Sequence, residues 1–168
     1  MKLHKSLTIL IAIIILTSTI TLTCVQAKRY RPQTTYKDFT LTATGTAYDR
    51  QQKQTVQVTI NLNGKANTCG NTWKIKIKGG SITIQGQQQL FAYKGTATLI
   101  PKCRYINLHI FTQSQYGYRK TVWNLKGRAH QTSYNQFEAY LKANRAYLPL
   151  RHYPKLVNLR LESTITLS

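Results

Sequence analysis

The chain is poor in acid. Across 168 residues, 4 Asp and Glu face 24 Lys and Arg, a formal net charge of +20 at pH 7. The acids are Asp38, Asp49, Glu138 and Glu162. Glycoside hydrolysis needs two carboxylates flanking one bond, and so sparse a set argues against it. Cysteine is scarce too. Cys69 and Cys103 have no second Cys or His at zinc-ligand spacing. Beyond residue 27 the histidines are His109, His130 and His152, far apart in the chain and read as surface residues. There is no Gly-x-Ser-x-Gly nucleophile elbow, no phosphate loop and no dinucleotide fingerprint. No Asn-x-Ser/Thr acceptor follows residue 27. The sequence therefore offers no catalytic constellation, no metal site and no cofactor.

Long apolar runs are also missing, with one exception at the N-terminus. Lys2, His4 and Lys5 precede Leu7–Leu16, an apolar decad interrupted only by Thr8. That length suits a signal-peptide core and falls short of the ~20 apolar residues of a membrane span. Val25-Gln26-Ala27 supplies a cleavage site, so residues 1–27 read as a signal peptide with the mature chain starting at Lys28. Two other readings keep the domain outside the cytoplasm: an uncleaved anchor over Leu7–Val25, or lipid attachment at Cys24 after Leu22-Thr23. Loss of Lys2 and Lys5 leaves 22 basic against 4 acidic residues, a net charge of +18. A domain this basic attracts polyanions and anionic surfaces. In an oxidising compartment the remaining pair, Cys69 and Cys103, is expected to form a disulfide.

What is abundant is Thr, Gln, Tyr and β-branched residues, a strand-forming composition. Residues 28–37 read as a basic, irregular leader and 38–168 as a single all-β domain. Alternation places strands at Phe39–Tyr48, Thr55–Leu62, Trp73–Lys78, Ile82–Gln85, Phe91–Thr98, Ile106–Thr112, Thr121–His130, Phe137–Lys142 and Leu159–Leu167. Gly79-Gly80 is taken as a tight hairpin turn. The segment 135–146 contains good helix formers, but Phe137, Ala139 and Leu141 alternate, which favours a strand.

Three segments share one pattern: Leu41-x-Ala43-x-Gly45-x-Ala47, Phe91-x-Tyr93-x-Gly95-x-Ala97 and Trp123-x-Leu125-x-Gly127-x-Ala129. Side chains at i, i+2, i+4 and i+6 of a strand share a face, so each face reads large, apolar, Gly, Ala. A return strand follows each copy. Gly on a core face lets a strand coil sharply and a neighbour pack close. The expectation is an antiparallel meander of about eight or nine strands, closed or partly closed as a barrel, with a two-sheet β-sandwich as the alternative. Nine strands would put the loops holding Cys69 and Cys103 at opposite ends, against the expected disulfide. Merging Ser81–Leu99 into one bulged strand, or a sandwich topology, removes that conflict.

The conspicuous chemistry is cationic. Lys74, Lys76 and Lys78 alternate on one strand face, and Lys126 and Arg128 repeat the spacing on another. Lys142 and Arg160 take outward positions on theirs. Arg145 and Arg151 lie near Tyr147, His152 and Tyr153 before the last strand. Lys and Arg beside Tyr hold phosphate, sulfate or carboxylate, with the ring free to stack. The expected function is an exported or cell-envelope-associated, non-enzymatic binding domain for a polyanion: an acidic glycan, an anionic lipid surface or extracellular nucleic acid. No base-reading element is present, so sequence-specific nucleic-acid recognition is not expected. A small-ligand carrier with a barrel cavity and a secreted enzyme are the alternatives.

Overall fold

A computed structural model of the chain describes residues 35–87, 89–114, 120–146 and 156–168. The expected signal peptide and most of the expected leader lie outside these residues. Eight antiparallel strands run in chain order: β1 (Tyr36–Asp49), β2 (Gln54–Asn67), β3 (Trp73–Ile84), β4 (Leu90–Ile100), β5 (Tyr105–Ser114), β6 (Lys120–Ser133), β7 (Gln136–Ala146) and β8 (Leu156–Leu167). Each pairs with the next, and β8 pairs with β1, so the sheet closes into a barrel. The expected barrel is formed rather than the sandwich alternative, and segment 135–146 contains strand β7. β1 begins at Tyr36, so the last two residues of the expected leader belong to the strand.

Alternation explains closure. Odd positions of β1 from Phe39 to Ala43, and even positions of β2 from Val56 to Ala66, are buried. The side chains between them are mostly exposed. An eight-stranded barrel has an interior just wide enough for side chains to fill, and here Trp123, Phe39 and Phe137 fill it among Leu and Ile. Each such side chain contributes about 1.5–3 kcal/mol by leaving water. The Trp123 indole N–H donates to the hydroxyls of Thr112 and Thr121, 3.2 Å from each, and these hydroxyls bond to one another. The outer face carries Thr, Gln, Lys and Arg. This is the inverse of a barrel sitting in lipid, whose outer face is an apolar band.

Three expectations about local structure are corrected. Gly79-Gly80 is not a hairpin turn. It lies inside β3, where Asn63 faces Gly79 and Gly64 faces Ile77, leaving Lys78 as the extra residue of a bulge. The two short strands read on either side are therefore one, and the turn falls at Gln85–Gln87, with Gly86 at φ +73. A second bulge at Tyr93, between Ala92 and Lys94, inverts the alternation of β4. Phe91 and Tyr93 consequently face solvent, while Leu90 and Ala92 point inward. In the other two repeats the anticipated core positions Leu41, Ala43, Ala47, Trp123, Leu125 and Ala129 are all buried.

The expected disulfide is not formed: Cys69 and Cys103 are free thiols. With eight strands, the β2–β3 and β4–β5 loops do lie at the same end. They are still separated along the rim by two strand spacings, about 10 Å, against the ~7 Å limit between Cα atoms of a disulfide. Each thiol has a local reason for its place. The Cys69 N–H donates to the Asn67 side chain, and Cys103 ends the 3-10 turn Pro101–Cys103.

Candidate anion-binding surface

Strand register decides which cations become neighbours. Lys126 on β6 faces Lys142 on β7, and Lys142 faces Arg160 on β8. The same lateral row continues the other way through Asn107 on β5 and Thr98 on β4 to Lys74 on β3. Thr46 on β1 extends it past Arg160. All four cations are exposed. They form a belt around the barrel with three cations on consecutive strands, ~4.8 Å apart from strand to strand. Like charges directly opposite destabilise a sheet, so this arrangement carries a cost.

Arg128 sits one outward position along β6 from Lys126, opposite Tyr140. Lys76 and Lys78 share the outward face of β3 with Lys74, as their spacing implies. They do not join the belt. Lys76 faces Lys65, which is held by Asp38 at 2.7 Å, and Lys78 is the bulged residue. Arg145 is paired with Val157 in the β7–β8 ladder. Arg151 lies outside the described residues, as do Tyr147, His152 and Tyr153.

The belt borders a concavity on the outside of the barrel. A cavity of about 650 Å³ lies over β7, β8 and β1, lined by Thr44, Thr46, Tyr140, Lys142, Arg160 and Glu162 among others. A second of about 380 Å³ adjoins it, reaching Thr42, Glu138, Ser163 and Thr164. The repeat glycines bring the flanking backbones together here. A Cβ on Gly45 would lie 2.9 Å from Leu161 Cα, and one on Gly127 would lie 2.8 Å from the Tyr140 carbonyl carbon. Both are closer than a Cβ tolerates, so only glycine permits this coil.

Two of the four acids share the concavity. Glu162 stands between Thr44 and Tyr140, and Glu138 faces Thr164 one step along. Among the described residues neither carboxylate makes an ion pair, and the one ion pair is Lys65–Asp38. The other acid, Asp49, is structural. It is fully buried and accepts from the backbone N–H groups of Gln51 and Gln52 and from the Gln87 side chain. Sequence reasoning placed Lys142 and Arg160 outward but assigned no role to Glu138, Glu162 or Tyr140. Their meeting depends on register, which composition and spacing within one strand do not reveal.

On another part of the wall, the β4 bulge turns Tyr93 toward Phe111, with ring centroids 6.4 Å apart. His109 meets Phe111 edge-on and bonds to Asn124. Among the described residues no three His, Cys, Asp or Glu converge to hold a metal ion. Comparison with protein-family models, curated proteins and solved structures finds no match to this chain.

Proposed function

We propose that this chain is an exported, non-enzymatic barrel that binds polyanions on its outer wall. The observation that carries the reading is the belt of opposed cations Lys126, Lys142 and Arg160, continued to Lys74. Three like charges on consecutive strands oppose the fold unless an anion bridges them. A net charge of +18 after loss of residues 1–27 supplies the long-range attraction. Trp123, Phe39 and Phe137 occupy the interior, which speaks against the carrier alternative. The cavity lies outside, among charged and hydroxyl side chains.

The test is retention of the purified protein on a sulfated polysaccharide, on anionic vesicles and on single-stranded DNA as salt rises. Two variants run beside the wild type: Lys126→Gln/Lys142→Gln/Arg160→Gln and Lys74→Gln/Lys76→Gln/Lys78→Gln. The wild type is expected to bind at low salt and release steeply, and the belt variant to lose more than the β3 variant. Removing three phosphate contacts lowers the logarithmic salt slope on single-stranded DNA by about 2. A wild type that ignores all three matrices at low salt overturns the reading.

A further inference from the structure

We infer that the concavity over β7, β8 and β1 is a subsite for an acidic saccharide. This rests on the polyanion reading and narrows it. The surface there is ordered in rows one outward position apart, ~7 Å along the strands. One row is cationic, with Arg160 beside Lys142. The next holds Glu162 between Thr44 and Tyr140, and the third holds Glu138 beside Thr164. Over β7, β8 and β1 a ligand therefore meets cations on one side and hydrogen-bond acceptors on the other, the acceptor rows being bordered on β6 by Arg128 and His130.

Three polyanions make different use of that layout. An extended nucleic-acid strand brings a phosphate at every step, and Glu138 and Glu162 repel it while accepting little in return. A bilayer surface is flat and does not enter a concavity of about 650 Å³. An acidic sugar suits both halves. Its sulfate, phosphate or carboxylate pairs with Arg160 and Lys142, the guanidinium being suited to bidentate contact. Its hydroxyls donate to Glu162 and Glu138, which no described cation occupies. The C–H face of a pyranose packs on the ring of Tyr140, an aromatic side chain left 69% exposed in the middle row. Thr42 and Thr44 complete the hydroxyl-rich side.

The experiment exploits a reversal of sign. Glu138→Ala/Glu162→Ala makes the protein more positive, so charge alone predicts tighter binding of every polyanion. The saccharide subsite predicts the opposite for a sugar, because acceptors are lost. Titrations use a sulfated hexasaccharide, its desulfated counterpart and a single-stranded DNA of matched charge. The wild type should prefer the sulfated sugar to the DNA. The double variant should bind that sugar about tenfold more weakly, as expected for lost charge-assisted hydrogen bonds, and the DNA more tightly. Tyr140→Ala should weaken the sugar several-fold while lowering the melting temperature by only a few degrees, since the ring is exposed and only strand propensity is lost. If the double variant binds the sulfated sugar more tightly, the subsite is refuted while the polyanion reading stands. If the wild type binds neither sugar nor DNA, the polyanion reading itself fails.

Discussion

Lys142 and Arg160 stand directly opposite one another across the β7–β8 ladder, both on the outer face of the barrel. Such a pair costs stability in the empty protein, and under the proposed function it contributes affinity once an anion is bound. Lys142→Thr should therefore raise stability at low salt by about 0.2–1 kcal/mol. Urea midpoints at low and high salt measure it. The gain should shrink as salt screens the exposed charges, while retention on a sulfated matrix falls. A variant less stable than wild type at both salts would show that the pair is not in conflict.

Gly127 permits a close approach of β6 to β7. Gly127→Ala places a methyl group 2.8 Å from the Tyr140 carbonyl carbon and 3.1 Å from Leu141 Cα. The backbones must part, at a cost of about 2 kcal/mol or more. Gly70, in open space at φ +82, is the control. Alanine there meets only the left-handed backbone penalty, about 1–2 kcal/mol. Thermal denaturation of the two variants should rank Gly127→Ala as the more damaging.

Asp49 ties two hairpins at one rim, taking the amides of Gln51 and Gln52 and the side chain of Gln87. Asp49→Ala leaves these donors without their acceptor and should cost roughly 2–4 kcal/mol. Asp49→Asn keeps the shape and one acceptor oxygen, so it should cost less. Hydrogen exchange at Gln51 and Gln52 should speed up in both, more in the alanine variant.

Mass mapping of protein from its native host addresses export and the thiols together. The proposed export predicts a chain beginning at Lys28, and a full-length cytosolic product would end that proposal. Alkylation without prior reduction should label both Cys69 and Cys103, with the exposed Cys103 reacting faster than the half-buried Cys69. Protection of both until a reductant is added would contradict the free thiols.

Most of the barrel was readable because side-chain alternation has a period of two and persists through β1, β2, β5 and β6. The repeat around Gly45 and Gly127 was readable for a physical reason, since a strand that must coil against its neighbour has to carry glycine there. Bulges are where alternation misleads. Gly79-Gly80 has the composition of a tight turn, and only its pairing with Asn63 and Leu62 shows a strand running through it. Tyr93 shifts β4 by one residue, and a one-residue shift exchanges inside for outside. The site was harder still. Lys74, Lys76 and Lys78 share a face within one strand, so spacing exposed them. Lys126, Lys142 and Arg160 come from three strands, and no spacing within one strand announces which residues the ladder sets side by side.

Asp38 and Ser168 exchange backbone hydrogen bonds of 2.6 and 3.0 Å, so the second edge of β1 is paired only when β8 arrives. Contacts of such long sequence separation form slowly. A chain that crosses a membrane N-terminus first would deliver β1 to the far side while β8 is still behind it. In a chain exported in that way, no closed barrel could assemble before β8 had followed β1 across, and the chain would stay threadable until then. Until then β1 and the newest strand present two unpaired edges. The outward lysines and arginines of the belt would then act as mutual repellents between neighbouring unfinished copies.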